Sequence, residues 1–469
     1  MMRPVKRDII SYLESYVKER PNHVYLFTET VEYTSTDVYN KTRACAAFLK
    51  EKGVGAGDYV GISGTRSIQA VIFFLATQYL GAVAVMFDPH SSIAQCQKEL
   101  GVDIPLKLAL DSEGDGFVID GAPVDFDAIN GDLERQPIDV YAPALMIFTS
   151  GSTGRSKGVM HSQYSYVNHQ RNYHAVAGHE KNDSFLHMLP IFHAFGLVCV
   201  IDSLLRRIHV FFPKHLTPEY VLESIEKYKV TRVGFVPTFA LMLADLKSEK
   251  NYNTDSLKAL VLAGAPTTAE QFMYIQNTLG GKICPVYGMS EIVGISGAGP
   301  KETDEKRAGS VGKAMPMTRV RIAPDGEITV KAPSLFVGYY GEEPVNRRKF
   351  FHTGDLGYID DEGFLHITGR KKEIIIRNGN NLAPLEIEEK LMKLPFIKSA
   401  AVVGIKDEKA GEIPVAVVVL EKGAAYDAEA IKTVLNKLEM PKEIRVLEAM
   451  PLNGTGKIDK LTIRTMFED

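Results

Sequence analysis

Between Pro218 and Ala263 the chain twice follows a helix-period segment with a short apolar run, and this alternation restricts the fold more than any other feature. The spacing predicts a helix over Pro218–Tyr228, then a strand over Arg232–Val236. A helix over Phe239–Leu246 and a strand over Ala259–Ala263 follow. Apolar runs this short, without polar alternation, must be covered on both faces, which is how strands of a parallel sheet behave. The same rhythm occurs upstream. Thr34-Ser35-Thr36-Asp37 has the form of a capping box and opens a helix that runs to Lys52 and stops at Gly53. A Gly-rich turn, a strand over Tyr59–Ser63, a helix and a strand over Ala82–Phe87 come next. The fold class is therefore α/β with parallel sheets.

From about Ile322 the texture changes to short strands and tight turns, at Glu327–Val330, Tyr358–Ile359 and Phe364–Ile367. After Arg370 a compact α+β unit of about 100 residues begins, a usual size for a small domain. Its expected strands are Glu373–Ile376, Ser399–Ile405, Val415–Leu420 and Glu443–Leu447, with helices over Pro384–Leu394 and Ala428–Leu438. Arg370-Lys371-Lys372 is taken as the boundary, giving domains 1–370 and 371–469. With 469 residues and 45% hydrophobic content, the chain can fill more than one core.

The net charge is -4 and no run of five like charges occurs, so nucleic acid is not an expected partner. Cys45, Cys96, Cys199 and Cys284 form no C-x-x-C pair, which argues against a disulfide framework or a structural zinc and for a reducing, cytoplasmic setting. The apolar stretch Val71–Phe87 is broken by Gln78, Tyr79 and Gly81. It reads as a buried helix followed by a buried strand, and no integral membrane segment is expected. The amino-terminal stretch lacks the apolar core of a signal peptide.

Four motifs carry chemistry. Thr149-Ser150-Gly151-Ser152-Thr153-Gly154-Arg155-Ser156-Lys157-Gly158 follows the apolar run Ala144–Phe148. Glycines that expose backbone N–H groups, several hydroxyls and one lysine suit phosphate binding. A Walker A loop would need Gly at 156 and Ser or Thr at 158; Ser156 and Gly158 stand there instead, so that reading fails. The second motif is Tyr287-Gly288-Met289-Ser290-Glu291, preceded by Gly264-Ala265-Pro266. The third is His352-Thr353-Gly354-Asp355, followed by Gly369-Arg370-Lys371-Lys372-Glu373. The fourth is Pro451-Leu452-Asn453-Gly454-Thr455-Gly456-Lys457. Each alone has a plain structural explanation, and the ordered set does not.

The set resembles the superfamily of acyl-CoA synthetases, peptide-synthetase adenylation domains and luciferases, from about Tyr33 to Lys457. The resemblance implies a large N-terminal domain of stacked α/β sheets plus a β-rich subdomain, and a small mobile C-terminal α+β lid. It implies ATP, Mg²⁺ and coenzyme A as cofactors and co-substrates. Thr149, Ser150, Gly151, Ser152, Thr153, Gly154 and Lys157 would hold the β- and γ-phosphates. Gly264, Ala265, Tyr287 and Gly288 would frame the adenine, Ser290 would touch the α-phosphate, and Glu291 would bind the metal. Asp355 and Arg370 would take the ribose, and Lys457 the developing charge. Lys157, Glu291, His193 and Lys457 are the catalytic set, and Lys372 occupies the hinge position. Ser156 replaces the family's usual proline, and Ser290 its commoner threonine.

Pro190-Ile191-Phe192-His193-Ala194-Phe195-Gly196 resembles the mouth of the family's acyl pocket. His193 stands where amino-acid-activating relatives usually place an aspartate, which argues against an α-amino acid. The segments Phe235–Phe239, read as helical, and Met289 with Val293–Ile295 would line an apolar cavity. No buried cation is evident to pair a second carboxylate, so a monocarboxylic fatty or aryl acid is expected. Asn378-Gly379-Asn380-Asn381 resembles the loop that lets a pantetheine arm reach the adenylate. A stand-alone acid–CoA ligase, monomeric or homodimeric, is the leading expectation. Loading of a carrier protein and a non-catalytic ligand-binding relative are the alternatives.

Overall fold

The computed structural model describes residues 2–63, 66–88, 98, 106–111, 117–119, 122–149, 157–178, 180–452 and 457–468. Among these, the strands form four sheets. A nine-stranded sheet runs through Lys313–Ala314, Ile292–Gly297, Lys282–Met289, Ala259–Leu262, Arg232–Phe235, Ser184–Leu186, His209–Phe211, Val24–Phe27 and Glu32–Thr34. The stretch from Lys282–Met289 to Val24–Phe27 is parallel, as the helix–strand alternation requires. An eight-stranded sheet has its parallel centre at Pro143–Thr149, Val83–Phe87, Tyr59–Ser63 and Leu106–Asp111. One apolar core joins the two, with Ile62 and Tyr166 buried in the same cluster as Val210 and Phe185.

The local signals explain the elements. Thr34 caps the helix Ser35–Glu51, and Asp37 reaches back to it in a full capping box. The apolar stretch resolves into the buried helix Ile68–Leu80 and the buried strand Val83–Phe87, separated by Gly81 in the left-handed conformation. No helix of the described residues is long and apolar enough to cross a membrane. Cys45, Cys199 and Cys284 are buried free thiols; Cys96 lies outside the described residues. Phe235–Phe239 is not a helix throughout. Phe235 closes a strand, Val236 is extended, and the helix Pro237–Glu249 begins at the proline. The residue before a proline is excluded from the α region, while the proline itself suits a first turn.

Arg319–Ile322, Glu327–Lys331, Phe351–Ile359 and Leu365–Arg370 make the four-stranded antiparallel sheet. In it Asp355 lies directly opposite Arg370. A separate sheet follows, built from Ile375–Arg377, Asn380–Leu382, Ile397–Asp407, Gly411–Leu420 and Ile444–Leu447. Ala400, Val402, Ala416 and Val418 face the helices Pro384–Met392 and Ala428–Val434, whereas Ala401, Val403, Val415 and Val417 face Lys460–Thr465. This period-two division is what a sheet covered on both sides demands.

Two expectations in this part are corrected. Lys371–Glu373 is a 3-10 turn, and the strand starts only at Ile375. Lys371 is held there by Asp325 at 2.7 Å and Glu327 at 3.1 Å. The helix from Ala428 ends at Val434, not Leu438. Asn436 Oδ1 accepts from the N–H groups of Leu438 and Glu439, a local bond that competes with helix continuation.

Candidate active site

The sheet register brings the second and third motifs together. Tyr287, on the strand Lys282–Met289, donates its hydroxyl to Asp355 Oδ2 at 2.6 Å. Arg370 Nε donates to the other oxygen, Oδ1, at 2.8 Å. Tyr287 and Asp355 are buried, and burial with the nearby carboxylate pushes the phenol's pKa up. Each oxygen of Asp355 thus has one fixed donor and keeps a lone pair for a further one. Glu327 braces the turn beneath by accepting from the Gly354 N–H at 2.9 Å.

On the phosphate side, Thr149 and Lys157 face each other across an antiparallel pair. Ser150, Gly151, Ser152, Thr153 and Gly154 lie outside the described residues. Lys157 Nζ stands 4.2 Å from the centroid of the Tyr339 ring and 3.5 Å from Glu342. Tyr339 in turn donates its hydroxyl to Glu291 Oε1 at 2.7 Å. One tyrosine therefore links the loop lysine to the buried carboxylate of the second motif. Sequence reasoning missed Tyr339; its signal was the Tyr339-Tyr340 pair, on a two-residue strand that pairs with Val159 and Met160. A carboxylate with one oxygen so held retains sites for a hard cation, which fits magnesium. Among the described residues no group of three or more His, Cys, Asp or Glu is disposed around a metal.

Lys457 of the fourth motif reaches the same place from the far end of the chain, while Asn453, Gly454, Thr455 and Gly456 lie outside the described residues. Gly264 has φ +96°, and a Cβ on it would lie 3.3 Å from Lys457 Cε. Only a residue without a side chain fits that turn comfortably while the lysine passes. Lys457 is largely buried, and burial together with Arg370 lowers its pKa. It lines a cavity of about 100 Å³ together with Gly264, His193, Gly288 and Ser290. Ala265 is exposed on the turn beside Gly264. His193 caps the helix Ala194–Arg206, its Nδ1 accepting from the Phe195 N–H at 3.3 Å. Burial and Lys457 hold its pKa down to about 4, so it is a neutral wall at pH 7. Of the expected lining segments, Val236, Met289 and Val293 reach the cavity, whereas Phe235, Pro237, Thr238, Phe239, Gly294 and Ile295 do not line it. Ser290 is fixed from behind by His161, whose Nε2 donates to the Ser290 carbonyl at 2.7 Å. Lys372 feels Arg370, Asp355 and Glu291, and burial lowers its pKa.

Charge gathered at one end and an apolar cavity at the other is what the activation of a carboxylic acid by a nucleotide requires, and it defines the class: an adenylate-forming enzyme. A family model described as AMP-binding enzyme matches residues 13–340, and one for the AMP-binding enzyme C-terminal domain matches residues 386–457. The chain belongs to this family. A 2-succinylbenzoate–CoA ligase of Listeria innocua is 28% identical over 469 residues, covering 96% of this chain and 98% of that protein. The structure of ATP-bound MatB from Rhodopseudomonas palustris superposes with a TM-score of 0.87 at 25% identity, over 99% of both chains. The o-succinylbenzoate CoA synthetase of Bacillus subtilis, solved with its acyl-adenylate intermediate, gives a TM-score of 0.81 at 25% identity, over 100% of this chain and 98% of that one.

Proposed function

We propose that this chain is an ATP-dependent acid–CoA ligase that activates a monocarboxylic fatty or aryl acid as an acyl-AMP and passes the acyl group to the coenzyme A thiol. The observation that carries it is Lys457, delivered from the C-terminal region into the cavity beside Gly264 and His193. An acid's carboxylate attacking the α-phosphorus of ATP brings two anions together and releases pyrophosphate, so a fixed cation at that point lowers the barrier. Asp355 would accept the ribose hydroxyls with its two oxygens already oriented by Tyr287 and Arg370. Gly264, Ala265, Tyr287 and Gly288 would frame the adenine, Ser290 would meet the α-phosphate, and the Thr149–Lys157 loop the outer phosphates. Glu291 would hold a magnesium ion, which neutralises phosphate charge when bound.

Residues 1–370 would then be the substrate-binding domain and 371–469 a lid that turns about Lys372. The separate apolar clusters on either side of the C-terminal sheet support a lid able to move as a body. The CoA ligases and the acyl-adenylate complex among the similar proteins support the reaction type.

The test is pyrophosphate exchange over a panel of fatty, aryl and amino acids, followed by thioester formation with coenzyme A as the sole acceptor. Exchange and thioester with the same acid are expected. Exchange without thioester would shift the reading to loading of a carrier protein, and no exchange with any acid would remove catalysis altogether.

A further inference from the structure

The helix Gln163–Ala177 is buried between the two large sheets, yet Gln163, Ser165, Asn168, His169, Gln170 and Asn172 are each at most 2% exposed. Buried polar groups are almost always hydrogen-bonded, and an unpaired one needs a reason. Four of these six are satisfied. Gln163 Oε1 accepts from the Ile9 N–H at 2.9 Å. Ser165 Oγ accepts from the Ser162 N–H and donates to its carbonyl. Asn168 bridges the N–H and the carbonyl of Val5 at 2.8 and 2.9 Å. Asn172 accepts from the Met317 N–H at 2.9 Å and donates to the Thr318 hydroxyl at 3.3 Å.

Gln170 and His169 break this pattern. Neither atom of the Gln170 amide has a hydrogen-bond partner, and His169 Nδ1 has none. Both residues line the same cavity as Lys457. The neighbouring helix supplies a scale. His193 begins it beside Lys457, and Cys199, also in the cavity wall, lies about 9 Å further along its axis. Arg206, at that helix's far end, donates to the Gln170 main-chain carbonyl at 3.1 Å. The main-chain carbonyl of Gln170 is therefore held by Arg206, while its amide is left unpaired in a residue of the cavity wall.

We infer that Gln170 is a specificity-determining residue, and that the activated acid carries a neutral oxygen, a ketone or a hydroxyl, at the end remote from its carboxyl. This rests on the acid-activating reading above. A primary amide donates to a ketone and accepts from a hydroxyl, so it serves either group. A second carboxylate is disfavoured at the same place. The buried carboxylate nearby, Asp202, already has Arg206 at 3.5 Å. Among the described residues lining the cavity, Lys457 is the one cation at neutral pH, and it lies beside Gly264 and His193. Burial keeps His169 neutral, with a pKa of about 4. A carboxylate there would be desolvated beside Asp202, and the adjacent Arg206 is already shared between Asp202 and the Gln170 carbonyl. Gly294 makes room for the imidazole, since a Cβ on it would fall 2.5 Å from His169 Cε1.

The test compares kcat/KM for pyrophosphate exchange within matched acids. One series is octanoate, 7-oxooctanoate, 7-hydroxyoctanoate and octanedioate; the other is 4-ethyl-, 4-acetyl- and 4-(1-hydroxyethyl)phenylacetate. The wild type is expected to favour an oxygenated acid over its parent by about tenfold or more in at least one series, with octanedioate poorest. The oxo and hydroxy members distinguish the two oxygen types. In Gln170→Leu, or in Gln170→Met should the first variant not fold, that ratio should fall to about one while the KM for ATP stays unchanged. The Tm of the free protein should rise, because no amide is left unpaired; a merely structural glutamine would lower it. Equal kcat/KM throughout both series, a preference for octanedioate, or a ratio untouched by the substitution overturns the inference. Exchange without discrimination defeats this inference alone, whereas exchange with no acid defeats the acid-activating reading with it.

Discussion

The proposed nucleotide cradle and the proposed acyl cavity adjoin at Gly264 and Ser290, yet they treat polar groups in opposite ways. In the cradle both oxygens of Asp355 have donors, Glu291 is held by Tyr339, and Lys157 rests against the same ring. In the cavity the Gln170 amide and His169 Nδ1 are left unpaired among apolar walls. A ligand that never changes can be met by groups fixed in advance, which then cost nothing to reorganise. A ligand that distinguishes one enzyme from its relatives is met by shape and by a few open hydrogen-bonding atoms.

Lys457 is where the two regions meet, and replacing it tests the comparison most severely. Lys457→Ala should lower adenylate formation about 100- to 1,000-fold, as removal of a fixed charge-stabilising donor does elsewhere. Thioester formation from preformed acyl-AMP should change by no more than about threefold, because the proposed turn of the lid about Lys372 takes Lys457 away from the reacting carbonyl before the thiol displaces AMP. Pyrophosphate exchange and a single-turnover thioester assay separate the two steps. Intact exchange in the variant would show that the lysine belongs to neither region.

Legibility in the sequence follows the same divide. The cradle is made of residues whose chemistry shows in short, dense motifs, so Tyr287, Glu291, Asp355, Arg370 and Lys457 could be singled out before their contacts were known. Tyr339 was missed because its role arises from an antiparallel pairing across more than 170 residues of chain, and the Tyr339-Tyr340 pair does not by itself say which partner it will meet. The cavity was legible only in part. Gln170 lies within a helix rich in polar residues, and nothing in its neighbours marks it as the one whose amide is unpaired. That distinction depends on Val5, Met317 and Thr318 arriving at other positions of the same helix. The sheets were easier to foresee, because a parallel strand must be apolar throughout. The end of the helix at Val434 was not, because a single asparagine side chain decided it.

Acid pH should separate the regions next. His169 and His193 wall the cavity with pKa values pushed down to about 4 by burial, against the usual 6.5 of an exposed imidazole. Tyr287, Asp355 and Arg370 in the cradle are not imidazoles, and the one imidazole braced against it, His161 behind Ser290, is held by burial to about 4 as well. Between pH 6.5 and 4 the unfolded chain takes up protons that the folded cavity refuses. Stability is therefore complete above 6.5 and declines as pH falls through that window, by about 1.4 kcal/mol per pH unit for each imidazole. Urea midpoints measured from pH 7 to 5 should fall, and His169→Leu should make the decline shallower. An unchanged slope in the variant would mean that His169 takes up its proton freely and that the cavity is wetter than its walls imply.

The smallest effect is the sharpest probe of the cradle. Tyr287→Phe keeps the ring beside the proposed adenine site and removes only the hydroxyl that Asp355 Oδ2 accepts at 2.6 Å. Arg370 still holds Oδ1, so the carboxylate should keep its place while losing one of its two anchors. A single hydrogen bond to a partly anchored group is worth about 1 kcal/mol, which corresponds to a three- to tenfold rise in the KM for ATP. The KM for the acid and the ratio between oxygenated and parent acids should not move, because no cavity group touches that hydroxyl. A change in acid selectivity of the same size would show that the two regions are coupled through the strand Lys282–Met289, whose Val286 and Gly288 reach the cavity while Tyr287 between them faces Asp355; Met289 also reaches it, past an irregularity in the strand pairing. Side chains on a strand alternate in direction, so a strand can serve both sites without carrying a signal between them, and an unchanged selectivity is what that geometry demands.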